Sequence, residues 1–491
     1  MLAKLGRFNG GLEKNRVVGQ LNQQPRRQTL AGSNEMGQHM TRLVLHGILA
    51  FTLGWCVTSA YADFDAGLAA WLVDDYPKAL EELQKTEDID PRSQWVLSQM
   101  YKNGNGVAKD SGLYLKYLRS AADARHAGAE DELGDLYFNG SFGLKVDYKQ
   151  AFYWYERSAA SDYVVGQADL ASMYASGLGV TKDEAMALKL FRKAAEKGNT
   201  FAQYRLGLIY ELGIGVAKSQ REACESYRSA GVGGHSQGLV QTGYCYSQGI
   251  FGADNKAYNQ AFAVDWFRQA ADKGNPIGQY ELAHAYEFGI GLEKDEKKAV
   301  ELYRKAANQN DSDAQRRLGI CYDYAKGVKK DNYEAVKWYQ KSADQGNRFA
   351  QTDLGFKLMA GEGVVKDVSA AAASFRKSAE QNYNIGQHML ATMYEDGLGV
   401  ARDYELAVMW FQKAAELGYA ESQNKLGVKL AEGNGAPKNM VEALKWFTIS
   451  AAAGNEKAVD NRDKAEKVMK PVDVKKAQAL AAAWMKKNKA N

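Results

Sequence analysis

A Gly-x-Gly-type turn recurs through most of this 491-residue chain. Its second glycine falls at Gly106, Gly143, Gly179, Gly215, Gly252, Gly291, Gly327, Gly363, Gly399 and Gly435, so successive copies lie 36 to 39 residues apart. A fixed period in this range means stacked supersecondary units, none of which buries its apolar face without a neighbour. Length alone would suggest about three domains. The period replaces that expectation with one array that adds a unit at a time, an architecture used mostly as a binding surface.

The residues between turns describe the unit. From Ala202 to Tyr210, Leu206, Gly207 and Tyr210 lie at i, i+1 and i+4. Leu133/Gly134/Tyr137, Leu318/Gly319/Tyr322 and Leu390/Ala391/Tyr394 repeat the pattern. Leucine and tyrosine four apart make one apolar stripe of a helix (helix A), and the small residue lets a neighbour approach. Helix A stops at the first glycine of the turn, such as Gly177, Gly213, Gly289 or Gly397, where a left-handed cap is required. An N-cap aspartate follows at Asp183, Asp295, Asp331, Asp367 and Asp403. Helix B then places alanine four residues on and an aromatic eight on: Ala187/Phe191, Ala299/Tyr303, Ala335/Tyr339, Ala371/Phe375 and Ala407/Phe411. The prolines after Asp63 fit turns or helix starts, which supports this register.

Residues 40–62 read as a secretory signal: Arg42, an apolar run from Leu43 to Val57, and Ala60-Tyr61-Ala62 as a small-x-small cleavage site before Asp63. Residues 1–39 lack periodicity and are expected to be a mis-called or disordered extension. The expected product is exported, periplasmic or secreted, with no further run long enough to span a membrane. Residues 1–62 hold seven Lys/Arg and two Asp/Glu, whereas the remainder holds 56 basic and 57 acidic residues. So neutral a body lacks the basic stripe that nucleic acid calls for. Three cysteines follow the signal. Cys245 and Cys321 share the repeat position held elsewhere by Ile209, which suits a small core residue. Cys224 and Cys245 lie on successive helices, and their pairing is left open.

The run Ala-Gln-x-x-Leu-Gly-x-x-Tyr-x-x-Gly-x-Gly-Val-x-x-Asp, followed by Ala-x-x-aromatic and Ala-Ala-x-x-Gly, resembles the Sel1-like (Sel-one-like) repeat over about residues 92–454, in ten copies. The resemblance implies an all-α fold, a right-handed superhelical solenoid of helix-turn-helix repeats similar to tetratricopeptide arrays. Departures are Gly140-Ser-Phe-Gly143 and Gly249-Ile-Phe-Gly252, Ala325 in place of the first glycine in repeat seven, and Asn439 for the aspartate in repeat ten. Residues 63–91 and 455–491 read as terminal caps, the latter with Ala477, Leu480 and Trp484 at helical spacing.

Catalytic patterns are sparse. Gly234-His235-Ser236-Gln237-Gly238 matches a nucleophile elbow but falls between two helices, where no strand precedes it. Ser374-Phe375-Arg376-Lys377 matches a serine–lysine pattern but lies within helix B. The histidines fall in separate repeats, so no metal and no cofactor is expected, nor is an enzyme. The candidate site is the face of helix A, which the resemblance places on the inner, concave surface. There Tyr204, Tyr244, Tyr280, His284, Phe288, Arg316, Tyr324, Phe356 and His388 stand outside the repeat pattern, with Glu211, Glu287, Asp323 and Glu395 between them. Aromatic residues and arginine are the usual anchors of interfaces; the same side chains also suit packing between repeats. The expected function is an exported scaffold or adaptor for a protein partner. Carbohydrate or peptidoglycan-fragment binding is the alternative, and a β-lactamase-like hydrolase the second alternative.

Overall fold

The computed structural model describes residues 57–251 and 256–489. The extension 1–39, residues 40–56 of the export segment and Gly252 lie outside the described residues. Among the described residues there are 24 helices and no strand, as expected of an α-solenoid. The chain forms two compact units, Met1–Gly252 and Ala253–Asn491.

The first unit holds α1 (Val57–Leu72), α2 (Tyr76–Gln84), α3 (Pro91–Asn103), α4 (Ser111–Asp123), α5 (Ala127–Asn139), α6 (Tyr148–Ala160), α7 (Val164–Ser176), α8 (Glu184–Glu196), α9 (Thr200–Leu212), α10 (Gln220–Val232) and α11 (Ser236–Ser247). The second holds α12 (Lys256–Asp272), α13 (Pro276–Phe288), α14 (Glu296–Asn308), α15 (Ser312–Asp323), α16 (Asn332–Asp344), α17 (Arg348–Ala360), α18 (Val368–Glu380), α19 (Asn384–Asp396), α20 (Tyr404–Glu416), α21 (Ala420–Glu432), α22 (Met440–Ala452), α23 (Glu456–Val468) and α24 (Pro471–Lys489). From α3 to α22 the odd-numbered helices are the A helices and the even-numbered the B helices of repeats one to ten.

Each boundary has a local cause. Asp183, Asp295, Asp331, Asp367 and Asp403 accept from backbone N–H groups in the first turn of their B helices. Ser219 and Asn439 do the same where aspartate is absent. In the turn of repeat three the two glycines do different work. Gly177, with φ 71°, ends α7 and donates to the Met173 carbonyl. Gly179, with φ 72°, lies against the start of α6, where a Cβ would strike the Tyr148 carbonyl. The first glycine therefore stops a helix, and the second brings one repeat onto its predecessor. Pro91, Pro276 and Pro471 open helices, Pro77 is in the first turn of α2, and Pro437 lies in a turn.

The paired alanine and aromatic of helix B form the core as the spacing predicts. Phe191, Phe375, Phe411 and Tyr303 are fully buried, with Ala187, Ala371, Ala407 and Ala299 beside them. A ring buried this completely contributes about 3 kcal/mol. The small residue of helix A sits under that ring: a Cβ on Gly207 would strike Tyr227, and one on Gly355 would strike Phe375. At the ends, α1 and α2 pack Phe64, Ala79 and Leu83 against Val96 and Leu97 of α3. At the other end Ala477 and Ala481 of α24 are buried, and Trp484 meets Trp446 edge-on at 5.7 Å. Leu480, expected on that apolar stripe, is instead exposed, because the buried face of α24 follows Ala477, Ala481 and Trp484.

Candidate functional site

The A helices carry more polar pairing than their spacing suggests. One residue past the repeat tyrosine, Glu211, Glu287 and Asp323 each accept from a tyrosine hydroxyl sixteen residues on: Tyr227 at 2.5 Å, Tyr303 at 2.8 Å and Tyr339 at 3.3 Å. Burial, together with the adjacent carboxylate, drives these phenols well above their ordinary pKa. Where helix B carries phenylalanine instead (Phe191, Phe375, Phe447), the matching helix-A residue is Ala175, Met359 or Ala431. In repeats three, four, six, seven, eight and ten, tyrosine goes with an acid and phenylalanine with an apolar residue; in repeat two Tyr155 donates instead to Asp135, twenty residues earlier. Repeat nine departs, with Glu395 opposite Phe411, and there Lys425 at 2.9 Å and Lys429 at 2.6 Å hold the carboxylate. Burial opposes ionisation of Glu395, but the two lysines outweigh it and lower its pKa.

A second rule links neighbouring repeats. At several junctions the helix-A residue just before the repeat leucine faces the residue 30 positions earlier. Lys102 meets Glu132 at 2.5 Å, Glu287 meets Arg317 at 3.9 Å, and Glu395 meets Lys425 at 2.9 Å. Met359 and Met389, related in the same way, pack on one apolar cluster. Asp323 and Asp353 would repel, but each has its own cation: Lys357 at 2.5 Å on Asp323 and Arg316 at 2.6 Å on Asp353. Glu287, only 4% exposed, also takes Lys326 at 3.0 Å. The acids Glu211, Glu287, Asp323 and Glu395, expected to stand between binding aromatics, are therefore engaged within the chain.

The nine candidate residues divide. Tyr204 is buried and stacks on His235 at 4.7 Å, so it serves the repeat core; burial pushes its phenol up to about 12. Tyr244 is half-buried on α11. Tyr280 packs on the Tyr303 ring at 5.7 Å within a core cluster. Arg316 is held by Asp353 and lies over the Phe349 ring. His388 shares a hydrogen bond of 2.8 Å with the Ser422 hydroxyl and packs between Phe411 and Tyr419. Burial lowers the pKa of His284 and of His388 to about 4, so both are neutral at pH 7. Three aromatic residues are exposed at consecutive A helices of the second unit: Phe288 at the end of α13 (47% exposed), Tyr324 one residue past α15 (68%) and Phe356 within α17 (37%), the last also packing edge-on against Phe375 at 5.2 Å. His284 backs Phe288 at 4.6 Å, and the Arg317 guanidinium lies 5.5 Å from the same ring.

The hydrolase-like patterns take structural roles. His235 is the N-cap of α11, accepting at Nδ1 from the Gly238 N–H at 3.2 Å, and Ser236 begins the helix. Ser374 lies inside α18. Cys224 and Cys245, left open by their spacing, form a disulfide with Cα atoms 5.8 Å apart, so Cys245 is more than a small core residue. Cys321 is free and buried, its thiol pushed up to about 12 by burial. Among the described residues no helix is long and apolar enough to cross a membrane.

Within each unit, helix pairs that recur in one register with a capped B helix, a tight turn and a buried helix-B side chain are the structural form of the sequence motif. Ten consecutive segments match the Sel1 repeat: residues 91–126, 127–163, 164–199, 200–231, 236–275, 276–311, 312–347, 348–383, 385–419 and 420–455. The chain belongs to the Sel1 repeat family. This Sel1 array is similar to the crystal structure of a protective antigen present in uropathogenic Escherichia coli strains and displaying an SLR fold. They share 31% identity over 83% of this chain and 94% of that one, with a TM-score of 0.52. It is also similar to a Sel1 repeat protein from Oxalobacter formigenes, at 27% identity over 72% of this chain and 90% of that one, with a TM-score of 0.40. A search of curated proteins found no match. Sel1 and related helical repeat arrays serve in general as scaffolds for protein–protein interaction.

Proposed function

We propose that this Sel1 array is an exported scaffold that binds a polypeptide partner on its helix-A face, with Phe288, Tyr324 and Phe356 as the apolar anchors in the second unit. The observation that carries this reading is the exposure of three large aromatic side chains at three consecutive A helices, beside acids already paired within the chain. Exposed aromatics in series suit an extended chain that places one side chain per repeat. Charge on the flanking positions is neutralised internally, so apolar contact and shape carry the affinity.

Export is supported by the three-part signal at residues 40–62 and by the Cys224–Cys245 disulfide, since disulfides persist mainly in oxidising compartments. Cleavage after Ala62 would shorten α1 from its N-terminus and leave Phe64, which packs on the first repeat. Sequencing the N-terminus of the mature protein checks this; a start other than Asp63 overturns it.

The binding test compares the mature chain with a Phe288→Ala/Tyr324→Ala variant as baits for the native envelope fraction. Tyr280 is left intact because it packs against Tyr303. A stoichiometric protein captured by the wild type and lost from the variant, with unchanged thermal unfolding, is the expected result. Equal capture by both baits, or retention of glycan in place of any protein, overturns it.

A further inference from the structure

Arg205 breaks the 30-residue rule. It occupies on α9 the position that Glu132, Arg317 and Lys425 occupy on their A helices, and the residue 30 positions before it is Ala175. The other two cations at this position, Arg317 and Lys425, meet Glu287 and Glu395 there. Arg205 meets a methyl group.

No other group in the surroundings supplies the missing charge. Glu211, on the same helix, accepts from Tyr227. Ser172 and Ser176 on α7 donate to the Ala168 and Ser172 carbonyls, and a neutral hydroxyl supplies no counter-charge. Among the described residues no carboxylate pairs with Arg205, and its Nε is buried with no hydrogen-bond partner. Burial draws the guanidinium below its ordinary pKa. The residue still keeps a partly exposed surface. Its position is set by two rings: the guanidinium carbon lies 5.6 Å from the centroid of Phe191 and 5.8 Å from that of Phe201. Phe191 is fully buried in the core of repeat three. Arginine packs on aromatic faces in this way while its donors stay free in the guanidinium plane.

A partly buried cation with no counter-charge destabilises the fold that contains it. Local rules broken in this manner are expected at functional or strained sites. The chemistry of the missing partner follows from the surroundings. α5, α7, α9 and α11 together carry one basic side chain, Arg205, and six acids, Glu130, Asp131, Glu132, Asp135, Asp169 and Glu211, all of them engaged within the chain. One positive charge with a planar fork of donors matches one carboxylate. Ala175 is a small side chain at a position where other repeats place a glutamate, an aspartate or a methionine, and Ser172 on the same helix is partly exposed.

We infer that Arg205 is a carboxylate-binding site on the helix-A face of the first unit, receiving an acidic side chain or the C-terminal carboxylate of the bound polypeptide. This rests on the reading that the helix-A faces bind a polypeptide, and adds that the bound chain carries a carboxylate opposite repeat four.

The test selects a random peptide library with free C-termini on the intact mature chain. The enriched peptides are then measured by fluorescence polarisation against wild type, Arg205→Gln and Ala175→Glu. Ala175→Glu supplies the acid that the register lacks. It is expected to raise the unfolding temperature and to abolish peptide binding, a combination that a purely structural Arg205 does not produce. Arg205→Gln is expected to weaken binding about tenfold or more, the loss of one charge-assisted pair. Amidated peptides and Asp→Asn or Glu→Gln peptides show which carboxylate is bound. Equal binding by all three proteins, enrichment of peptides indifferent to loss of their carboxylates, or no enrichment at all overturns the inference. Loss of partner capture in Phe288→Ala/Tyr324→Ala with none in Arg205→Gln or Ala175→Glu would leave the scaffold reading standing and remove this one.

Discussion

Two helix junctions, one in each unit, fill the same repeat positions with different chemistry. Between α10 and α11, Cys224 and Cys245 are bonded across a sequence separation of 21 residues. Between α14 and α15, Val300 and Cys321 stand in the equivalent places and pack as neighbours in one apolar cluster. Polar pairing divides in the opposite sense. In repeat four Glu211 is bound by Tyr227 and Arg205 lacks an acid, whereas in repeat six Glu287 takes Tyr303, Lys326 and Arg317. The backbone register is therefore indifferent to whether a junction is tied covalently, by dispersion or by ion pairs. Each repeat is free to change its fastening because its neighbours depend only on its outer faces.

The covalent tie should show the largest effect. Cys224→Ala/Cys245→Ala is expected to destabilise the first unit by about 3 kcal/mol, the loop-entropy value for a closure of this length. Val300→Cys is expected to give the second unit a matching bridge to Cys321. Denaturant unfolding and thiol titration under non-reducing conditions check both; a free thiol count that does not fall in Val300→Cys would show that the two junctions differ in geometry as well as chemistry. Next in size is the ionic fastening. Glu287→Gln is expected to cost about 2 kcal/mol, because a buried acceptor of charged donors is lost, and Glu211→Gln about 1 kcal/mol, because one hydroxyl bond is weakened. Equal costs for the two variants in chemical denaturation would mean that Lys326 and Arg317 add nothing to Glu287. The smallest effect concerns the turn. Ala325 holds φ 56° where the other unit has Gly213 at φ 72°. Ala325→Gly is expected to stabilise by about 0.5 kcal/mol and Gly213→Ala to destabilise by about 1 kcal/mol; a loss of melting temperature in Ala325→Gly would break that symmetry.

Much of the fold was legible because each repeat solves its own local problem. Asp331 caps the next helix, Gly177 ends the one before the turn, and Phe375 fills the core between them, so each signal is short-range and recurs at one spacing. The candidate site was legible only in part. Tyr204 and Phe288 both stand outside the repeat pattern, yet one is buried and the other exposed. Periodicity distinguishes the two faces of a helix but not how closely the next helix covers a face. The sequence signal that bears on this is a coupled one: Tyr227 with Glu211, and Phe191 with Ala175, sixteen residues apart. Across the copies, that coupling marks Glu211, Glu287 and Asp323 as internally engaged, and Arg205 as a cation whose register partner, Ala175, carries no charge.

The chain's sequence by itself determined the period, most helix ends and the core ring in the repeats that follow the alanine–aromatic spacing. These follow from backbone capping and from burial of one apolar stripe, and both act within a few turns of helix. Only the tertiary structure decided which helix-A side chains remain available: that Cys245 is bonded and Cys321 is not, that Tyr204 lies inside, and that Glu287 is paired while Arg205 is left without a carboxylate. Those outcomes depend on distances between residues 16, 21 or 30 positions apart. Such distances come from the packing angle of one helix pair on the next, a quantity that no single repeat encodes.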